Sequence, residues 1–138
     1  MDLKAVNQNI PEILQRDRKI AVVGISNKPH RASYQVAEVM IRAGYEVYPV
    51  NPVLEEVLGR KCYASLSEIP EDIDLVDIFR RPEFVEDIVD AAIAKGVNAV
   101  WMQLGVVNEA AAEKALKAGL DVVMDRCWKI EYMQNREL

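Results

Sequence analysis

The stretch after the first apolar segment of this chain carries side chains suited to binding an anion. Gly24, which lets a chain turn closely, is followed by Ser26, Lys28 and Ser33. Hydroxyls, an ammonium group and the free N–H groups at the start of a helix together favour a phosphate. The pattern predicts a phosphate-binding turn. The competing interpretation is a solvated loop followed by a helix that Ser33 caps.

A pair of arginines follows a second apolar segment, just before a proline that can open a helix. Arg80 and Arg81 precede Pro82. Guanidinium groups at a strand end suit a phosphate because they bind it through two hydrogen bonds. We expect Arg80 to continue the strand and to point over the sheet edge. Arg81 could instead form a surface ion pair with Glu83 or Glu86.

Further polar groups follow the other apolar segments. Asn51 and Pro52 stand where dinucleotide-binding folds place the acidic residue that holds the ribose. Asn51 can hydrogen-bond a ribose or a backbone group but supplies no carboxylate. Gln103 and the backbone around Gly105 could hold polar groups of a ligand. The missing carboxylate and the absence of a GxGxxG or GxxxxGK[ST] motif argue against NAD and against a P-loop.

Residues that could carry out catalysis are few. The one histidine, His30, is expected to be an exposed loop residue, and neither a GxSxG motif nor His/Cys metal-ligand spacing is present. Cys62 and Cys127 are expected to be buried, reduced thiols. Asp125 and Cys127 could take part in redox or acyl chemistry, on weak grounds. We therefore expect no catalytic site and no metal.

Apolar runs alternate with helical patterns along the chain, which predicts βαβ units and a parallel sheet. The predicted strands are Lys19–Ile25, Tyr45–Val50, Leu75–Phe79, Ala99–Met102 and Leu120–Met124. The predicted helices run from Ser33 to Ala43 before Gly44, from Pro82 to Gly96, and from an Asn108 cap through Ala118 before Gly119. An added N-terminal helix starts or is interrupted at Pro11, and residues 59–70 form a loop with a short strand or turn.

These elements predict an α/β fold: one Rossmann-like, doubly wound domain over residues 1–138, with its core at residues 19–127. We expect the five strands in the order 3-2-1-4-5. In such a sheet ligands bind beyond the carboxyl ends of the strands, where the strand order reverses. The loops after strands one, three and four should therefore form one site.

The composition narrows the classes of partner. The formal net charge is −5, which disfavours nucleic acid, but five of the six charged residues from Arg16 to Arg31 are basic. This local excess indicates a small anionic ligand.

No apolar run is long enough for a membrane helix and the N-terminus is too polar for a signal peptide, so we expect a cytoplasmic protein. The apolar residues Trp128, Ile130, Tyr132 and Met133 either form a dimer interface or cover the protein's own sheet.

Several motifs, in order, resemble a known family. They are VVGISNKPHRASYQVA, YPVNP, DIFRRPE, WMQLGVVNEAA and GLDVVMDRC, between Lys19 and Cys127. Together they resemble the small CoA-binding proteins related to the nucleotide-binding domain of the succinyl-CoA synthetase α subunit.

The resemblance implies that coenzyme A is the ligand. Its phosphates would lie near Ser26, Lys28 and Ser33, and Gln103 and Gly105 would lie towards the pantetheine. The nucleotide would lie near Asn51, Pro52, Phe79 and Arg80.

The synthetase subunit also has a second domain, whose histidine accepts phosphate, and this chain ends without it. We therefore expect binding of coenzyme A or an acyl-CoA without ligase activity. Two alternatives remain open: a Rossmann-type enzyme that uses another nucleotide such as NAD(P), and a scaffold subunit whose pocket is vestigial.

Overall fold

The computed structural model describes residues 2–136 of the chain. Five parallel strands form one sheet: β1 (Lys19–Val23), β2 (Glu46–Val50), β5 (Leu75–Ile78), β6 (Ala99–Met102) and β7 (Asp121–Val123). A separate antiparallel hairpin pairs β3 (Glu56–Val57) with β4 (Arg60–Lys61). All predicted strands are present, with ends that differ by up to two residues. β5 stops at Ile78, so Phe79 and Arg80 lie in the following loop and do not continue the strand.

Helices cover both faces of the sheet, as a doubly wound fold requires. They are α1 (Ile10–Arg16), α2 (Ala32–Arg42), α3 (Val85–Lys95), α4 (Glu109–Lys117) and α5 (Trp128–Asn135). One face of the sheet packs with α3 and α4, and the other packs with α1, α2 and α5. Single 3₁₀ turns occur at Leu66–Glu68 and Pro82–Phe84. The added N-terminal helix is thus confirmed, with Pro11 in its first turn.

The predicted strand order was wrong. The sheet runs β2-β1-β5-β6-β7, which is 2-1-3-4-5 in the predicted numbering. The third strand therefore lies beside β1 and not outside β2. β5 is buried along its whole length, as a strand with neighbours on both sides should be. β2 contains Pro49, which has no N–H to donate and is tolerated at a sheet edge.

The helix ends test the predicted caps. Asn108 caps α4 as expected, because its side chain accepts the N–H of Ala111 at 2.9 Å. Ser33 does not cap α2, because the helix starts one residue earlier, at Ala32. Its N-cap residue is Arg31, and among the described residues no side chain forms a capping hydrogen bond there. Ser33 lies inside the first turn and its buried hydroxyl serves another contact, described below.

The apolar C-terminal stretch covers the protein's own sheet in part. Trp128 and Trp101 are fully buried, and Trp128 stacks on Tyr132 with ring centroids 5.2 Å apart. Tyr45 meets the Trp128 ring edge-on at 5.0 Å. Ile130 and Met133, on the same helix, remain about half exposed.

Candidate functional site

The turn after β1 packs against the loop after β5 so closely that only glycine fits. Gly24 has a φ of +88°, and a Cβ there would overlap the carbonyl oxygen of Phe79 and lie 2.9 Å from Cδ of Arg80. The Gly24 N–H donates to the carbonyl of Val50 at 3.0 Å. Gly24 therefore brings the ends of β1, β2 and β5 together and lets the Arg80 side chain cross the turn.

The first loop is ordered by two serine hydroxyls. The backbone N–H of Ser26 donates to Oγ of Ser33 at 2.9 Å, and the N–H of Lys28 donates to Oγ of Ser26 at 3.0 Å. Ser33 is buried, whereas Ser26 is partly exposed. Ser33 thus holds the loop in place by accepting the Ser26 N–H. The Ser26 hydroxyl accepts the Lys28 N–H and can still donate its own hydrogen to a ligand.

The N-terminus of α2 faces this loop without a capping side chain. The first amide to bond back is Gln35, which donates to the Arg31 carbonyl at 3.1 Å. The N–H groups of Ala32, Ser33 and Tyr34 have no acceptor within residues 2–136. Such a helix end is a ready-made anion site.

The basic residues from Arg16 to Arg31 are divided between the two ends of β1. Lys28 and Arg31 follow β1 and are exposed at its carboxyl end, whereas Arg16 precedes β1. Arg16 pairs with buried Asp17 at 2.7 Å and with Asp121 at 3.0 Å, and the Asp17 hydrogen bond raises its pKa. The basic residues from Arg16 to Arg31 therefore do not form one group, because the five residues of β1 separate its two ends by about 16 Å.

Asn51 is already engaged within the protein. Its Nδ2 donates to the carbonyl of Ile25 at 2.9 Å, and its Oδ1 accepts the N–H groups of Val53 at 2.8 Å and Leu54 at 3.3 Å. Asn51 therefore ties the loop after β2 to the loop after β1. Pro52, next to it, is exposed at the same edge.

The two arginines after β5 have different surroundings. Arg81 forms the expected ion pair with Glu83 at 3.5 Å and is 78% exposed. Arg80 is half-buried, with its guanidinium carbon 4.4 Å from the centre of the Phe84 ring. No carboxylate of the described residues pairs with Arg80, so its charge is available to a ligand.

The segment after β6 is held by two hydrogen bonds, one with the first residue of α5 and one with the loop after β7. Oε1 of buried Gln103 accepts the N–H of Trp128 at 3.0 Å, and Oδ1 of Asp125 accepts the N–H of Gly105 at 2.7 Å. Nε2 of Gln103 has no acceptor within the described part of the chain. Asp125, read in the sequence for weak redox or acyl chemistry, here positions a loop.

Three adjoining cavities lie at the carboxyl ends of the strands, and the first of them, the α3 cavity, shares Gly24 with the second and Arg80 with the third. The α3 cavity, of about 290 Å³, is lined by Val50, Pro52, Leu66, Arg80, Phe84 and Asp87. The loop cavity, of about 380 Å³, is lined by Gly24, Ser26, Lys28, Arg31 and Asn51. The α5 cavity, of about 490 Å³, is lined by Phe79, Arg80, Gln103, Gly105, Cys127 and Ile130.

The predicted site residues are therefore brought together at the carboxyl ends of the strands. Of them, Ser33 is the one that lines none of the three cavities, because it lies beneath Ser26. Phe84 and Asp87, which the sequence interpretation missed, line the α3 cavity. Their position on the first turns after Pro82 was a usable signal, since that helix starts at the sheet edge.

A buried carboxyl on β5 was also missed. Asp77 is completely buried between Val22 of β1 and Trp101 of β6, and neither carboxyl oxygen has a hydrogen-bond partner in the described residues. Burial raises the pKa of Asp77 well above its usual range. The visible signal was an acidic residue within the otherwise apolar run Leu75-Val-Asp-Ile-Phe79.

The other chemistry-bearing residues are dispersed. His30 is exposed in the first loop, as expected. Cys62 is buried, but Cys127 is only half-buried, so the expectation of two buried thiols was wrong for Cys127. Cys127 immediately precedes α5 and lines the α5 cavity, which leaves its side chain partly exposed.

Two further findings concern residues 2–136 alone. No group of three or more His, Cys, Asp or Glu side chains there could hold a metal ion. None of the helices in that range has the length and apolar character needed to cross a membrane.

Comparison with known proteins agrees with this architecture. A hypothetical protein from Pyrococcus horikoshii has a similar structure, with a TM-score of 0.90 and 46% identity over 94% of this chain and 91% of that one. The uncharacterized protein YneT of Bacillus subtilis is 43% identical over 123 residues, covering 89% of this chain and 91% of its own length. The Rossmann-like single-domain α/β fold is thus confirmed.

The parallel five-stranded sheet with helices on both faces places this chain in the class of Rossmann-like α/β domains. The model of the CoA binding domain matches residues 18–133, and the chain belongs to that family. The α subunit of the ADP-forming acetate–CoA ligase II of Pyrococcus furiosus is 42% identical over 84 residues. That match covers 60% of this chain but only 18% of the ligase subunit. The resemblance seen in the sequence motifs is confirmed.

Proposed function

We propose that this protein binds coenzyme A along the carboxyl edge of its sheet, without catalysing a reaction on its own. The observation that carries the proposal is the set of three adjoining cavities, in which the α3 cavity meets the loop cavity at Gly24 and the α5 cavity at Arg80. Coenzyme A is an extended ligand with an adenosine, a set of phosphates and a pantetheine arm. A row of chemically different cavities suits such a ligand better than a compact one.

The loop cavity suits the pyrophosphate. It combines the Lys28 ammonium and the Ser26 hydroxyl with the exposed Arg31 guanidinium, and it lies beside the uncapped start of α2. A helix N-terminus with free N–H groups favours phosphate oxygens. Support for this position therefore comes from charge, hydrogen bonding and the helix dipole together.

The α3 cavity suits the adenosine. Pro52, Val50 and Leu66 supply apolar surface for a base, and the Asp87 carboxylate can accept a hydrogen bond from an exocyclic amine. Arg80 borders this cavity and has no carboxylate partner among the described residues, which suits the 3′-phosphate. The α5 cavity, with Gln103 and Gly105, then takes the pantetheine, because it adjoins the loop cavity at the neighbouring residues Ala32 and Arg31.

The site does not suit NAD. Asn51 stands where a ribose-binding carboxylate is expected, and both of its polar atoms already bond to the backbone. The loop after β1 has no second glycine near Gly24 to let a backbone approach a dinucleotide. These features support coenzyme A over the nicotinamide nucleotides.

Calorimetric titration of the purified protein with coenzyme A, dephospho-CoA, NAD and ATP tests the proposal. We expect saturable binding of coenzyme A, weakened when the 3′-phosphate is removed. Stronger binding of NAD or ATP would favour a nucleotide-using enzyme. Absence of binding to all of them, with mass spectrometry showing that no ligand was copurified, would favour a scaffold with a vestigial pocket.

A further inference from the structure

The α5 cavity holds the one partly exposed thiol of the described residues. Cys127 is half-buried, lines the cavity and immediately precedes α5. The other thiol, Cys62, is buried outside the cavity, and its Sγ lies 3.7 Å from the Asn51 carbonyl oxygen. The two cysteines of this chain therefore differ in access to the site, which makes one a natural control for the other.

A second group in the same cavity indicates a ligand. Gln103 is only 4% exposed, and its amide is oriented because Oε1 accepts the N–H of Trp128, the residue after Cys127. Nε2 of Gln103 is left without an acceptor within residues 2–136 and lines the cavity. This amide nitrogen is not one of the fully buried atoms without a partner, so it is open to the cavity and can donate to a carbonyl oxygen of an occupant.

The end of coenzyme A matches this pair of groups. Its last amide carbonyl, a hydrogen-bond acceptor, lies a few bonds from its thiol. Beside Arg80 and Arg81, the cavity has apolar walls that include Phe79, Val106 and Ile130 and suit the methylene groups between amide and sulfur. An arm whose amide bonds to Gln103 would carry its sulfur towards Cys127.

We propose that Cys127 forms a mixed disulfide with the pantetheine sulfur of coenzyme A. This inference rests on the proposed function. The co-reactant is the symmetrical disulfide of coenzyme A. The Cys127 thiolate attacks one of its sulfurs, a new S–S bond forms, and the old S–S bond breaks. Cys127 is oxidised, and the departing coenzyme A leaves as a thiolate that takes a proton from water.

The consequence is a protein that retains coenzyme A covalently when the disulfide of coenzyme A accumulates and releases it to a reducing thiol. Burial raises the pKa of Cys62, which keeps that thiol protonated and further separates the two cysteines in reactivity. Modification should therefore be confined to Cys127.

The experiment treats the reduced, full-length protein with the disulfide of coenzyme A and follows it by intact-protein and peptide mass spectrometry. We expect one adduct, on Cys127, with the mass of coenzyme A less the two thiol hydrogens, and its loss on reduction. Cys127→Ser should form no adduct, and Cys62→Ser should react like the wild type. Pantethine, which lacks the nucleotide, should react slower by about tenfold or more, because binding no longer concentrates it at the site.

Two results would overturn the inference and leave the proposed function standing. The first is calorimetric binding of coenzyme A by a protein whose Cys127 stays unmodified after treatment with the disulfide of coenzyme A. The second is equal modification of Cys62 and Cys127 by that disulfide. Equal rates with pantethine would show ordinary thiol reactivity and would also overturn it. Absence of coenzyme A binding would contradict the proposed function, and the inference would fall with it.

Discussion

The backbone N–H of Ser26 donates to the hydroxyl of Ser33 at 2.9 Å, across the loop that joins β1 to α2. Ser33 is buried in the first turn of α2, whereas Ser26 lies at the surface of the loop cavity. This bond fixes the distance between the loop and the free N–H groups of the helix. The proposed phosphate site therefore depends on a residue that need not contact the ligand.

Replacing Ser33 by alanine should weaken both folding and ligand binding. The Ser26 N–H loses its acceptor, so we expect a loss of about 0.5–1.5 kcal/mol in the free energy of unfolding. Urea denaturation measures this loss, and titration with coenzyme A measures the accompanying loss of affinity. Ser67→Ala, at an exposed site outside the cavities, is the control. Unchanged affinity in a folded Ser33→Ala protein would contradict the supporting role.

Arg80→Ala should weaken coenzyme A binding far more than Arg81→Ala. A charge-assisted hydrogen bond to phosphate contributes about 1.5–3 kcal/mol, or roughly 10- to 150-fold in the dissociation constant. Arg81 is the matched control, because it is adjacent, exposed and paired with Glu83. Parallel calorimetric titrations compare the two variants. Equal effects would remove Arg80 from the phosphate site.

Gly24→Ala should destabilise the fold more than Gly59→Ala does. Both glycines have positive φ values, +88° and +75°, so alanine is strained at either position. Only at Gly24 would the new Cβ also overlap the Phe79 carbonyl, since nothing lies within 4 Å at Gly59. We expect Gly24→Ala to lose more than about 1 kcal/mol beyond the control, measured by urea denaturation. Equal losses would mean that the contact between β1 and the loop after β5 is not tight.

Asp77→Asn should gain stability relative to the wild type as the pH rises. Burial raises the pKa of Asp77 in the folded state, so the folded protein binds a proton that the unfolded chain releases above about pH 4. Wild-type stability therefore falls with rising pH, by at most about 1.4 kcal/mol per pH unit from this group, until the folded pKa is passed. Asparagine removes this dependence.

Urea denaturation of wild type and Asp77→Asn at several pH values measures the difference directly. Subtracting the two proteins cancels the other titrating groups. A difference in unfolding free energy that stays constant from about pH 4 to pH 8 would show that Asp77 ionises normally in the folded protein.

Much of the fold was readable from local patterns. Apolar runs such as Ala99–Met102 predicted strands because a strand buried on both faces is nearly all apolar. Gly44, Gly96 and Gly119 marked the helix ends correctly. The strand order was missed because pairing is a long-range property, although Pro49 was a local sign that β2 lies at an edge.

The location of the candidate site was predictable, but the hydrogen-bonding role of each side chain in it was not. Residues at strand ends share one edge of a parallel sheet by geometry, so Ser26, Arg80 and Gln103 could be grouped from the sequence. The hydrogen-bond partners of the predicted site residues come from distant segments. Asn51 bonds to Ile25, and Gln103 bonds to Trp128. Which side chains support the loops and which remain free for a ligand could not be read from order along the chain.

The sequence by itself determined the βαβ class, the C-terminal ends of the helices and the set of loops that meet at the carboxyl ends of the strands, because these follow from local periodicity and turn chemistry. Only the tertiary structure decided that β5 lies beside β1, that Arg16 and Lys28 lie at opposite edges, and that Cys127 opens into a cavity while Cys62 does not. Such properties depend on which distant segments pack together, and neighbouring residues do not encode that choice.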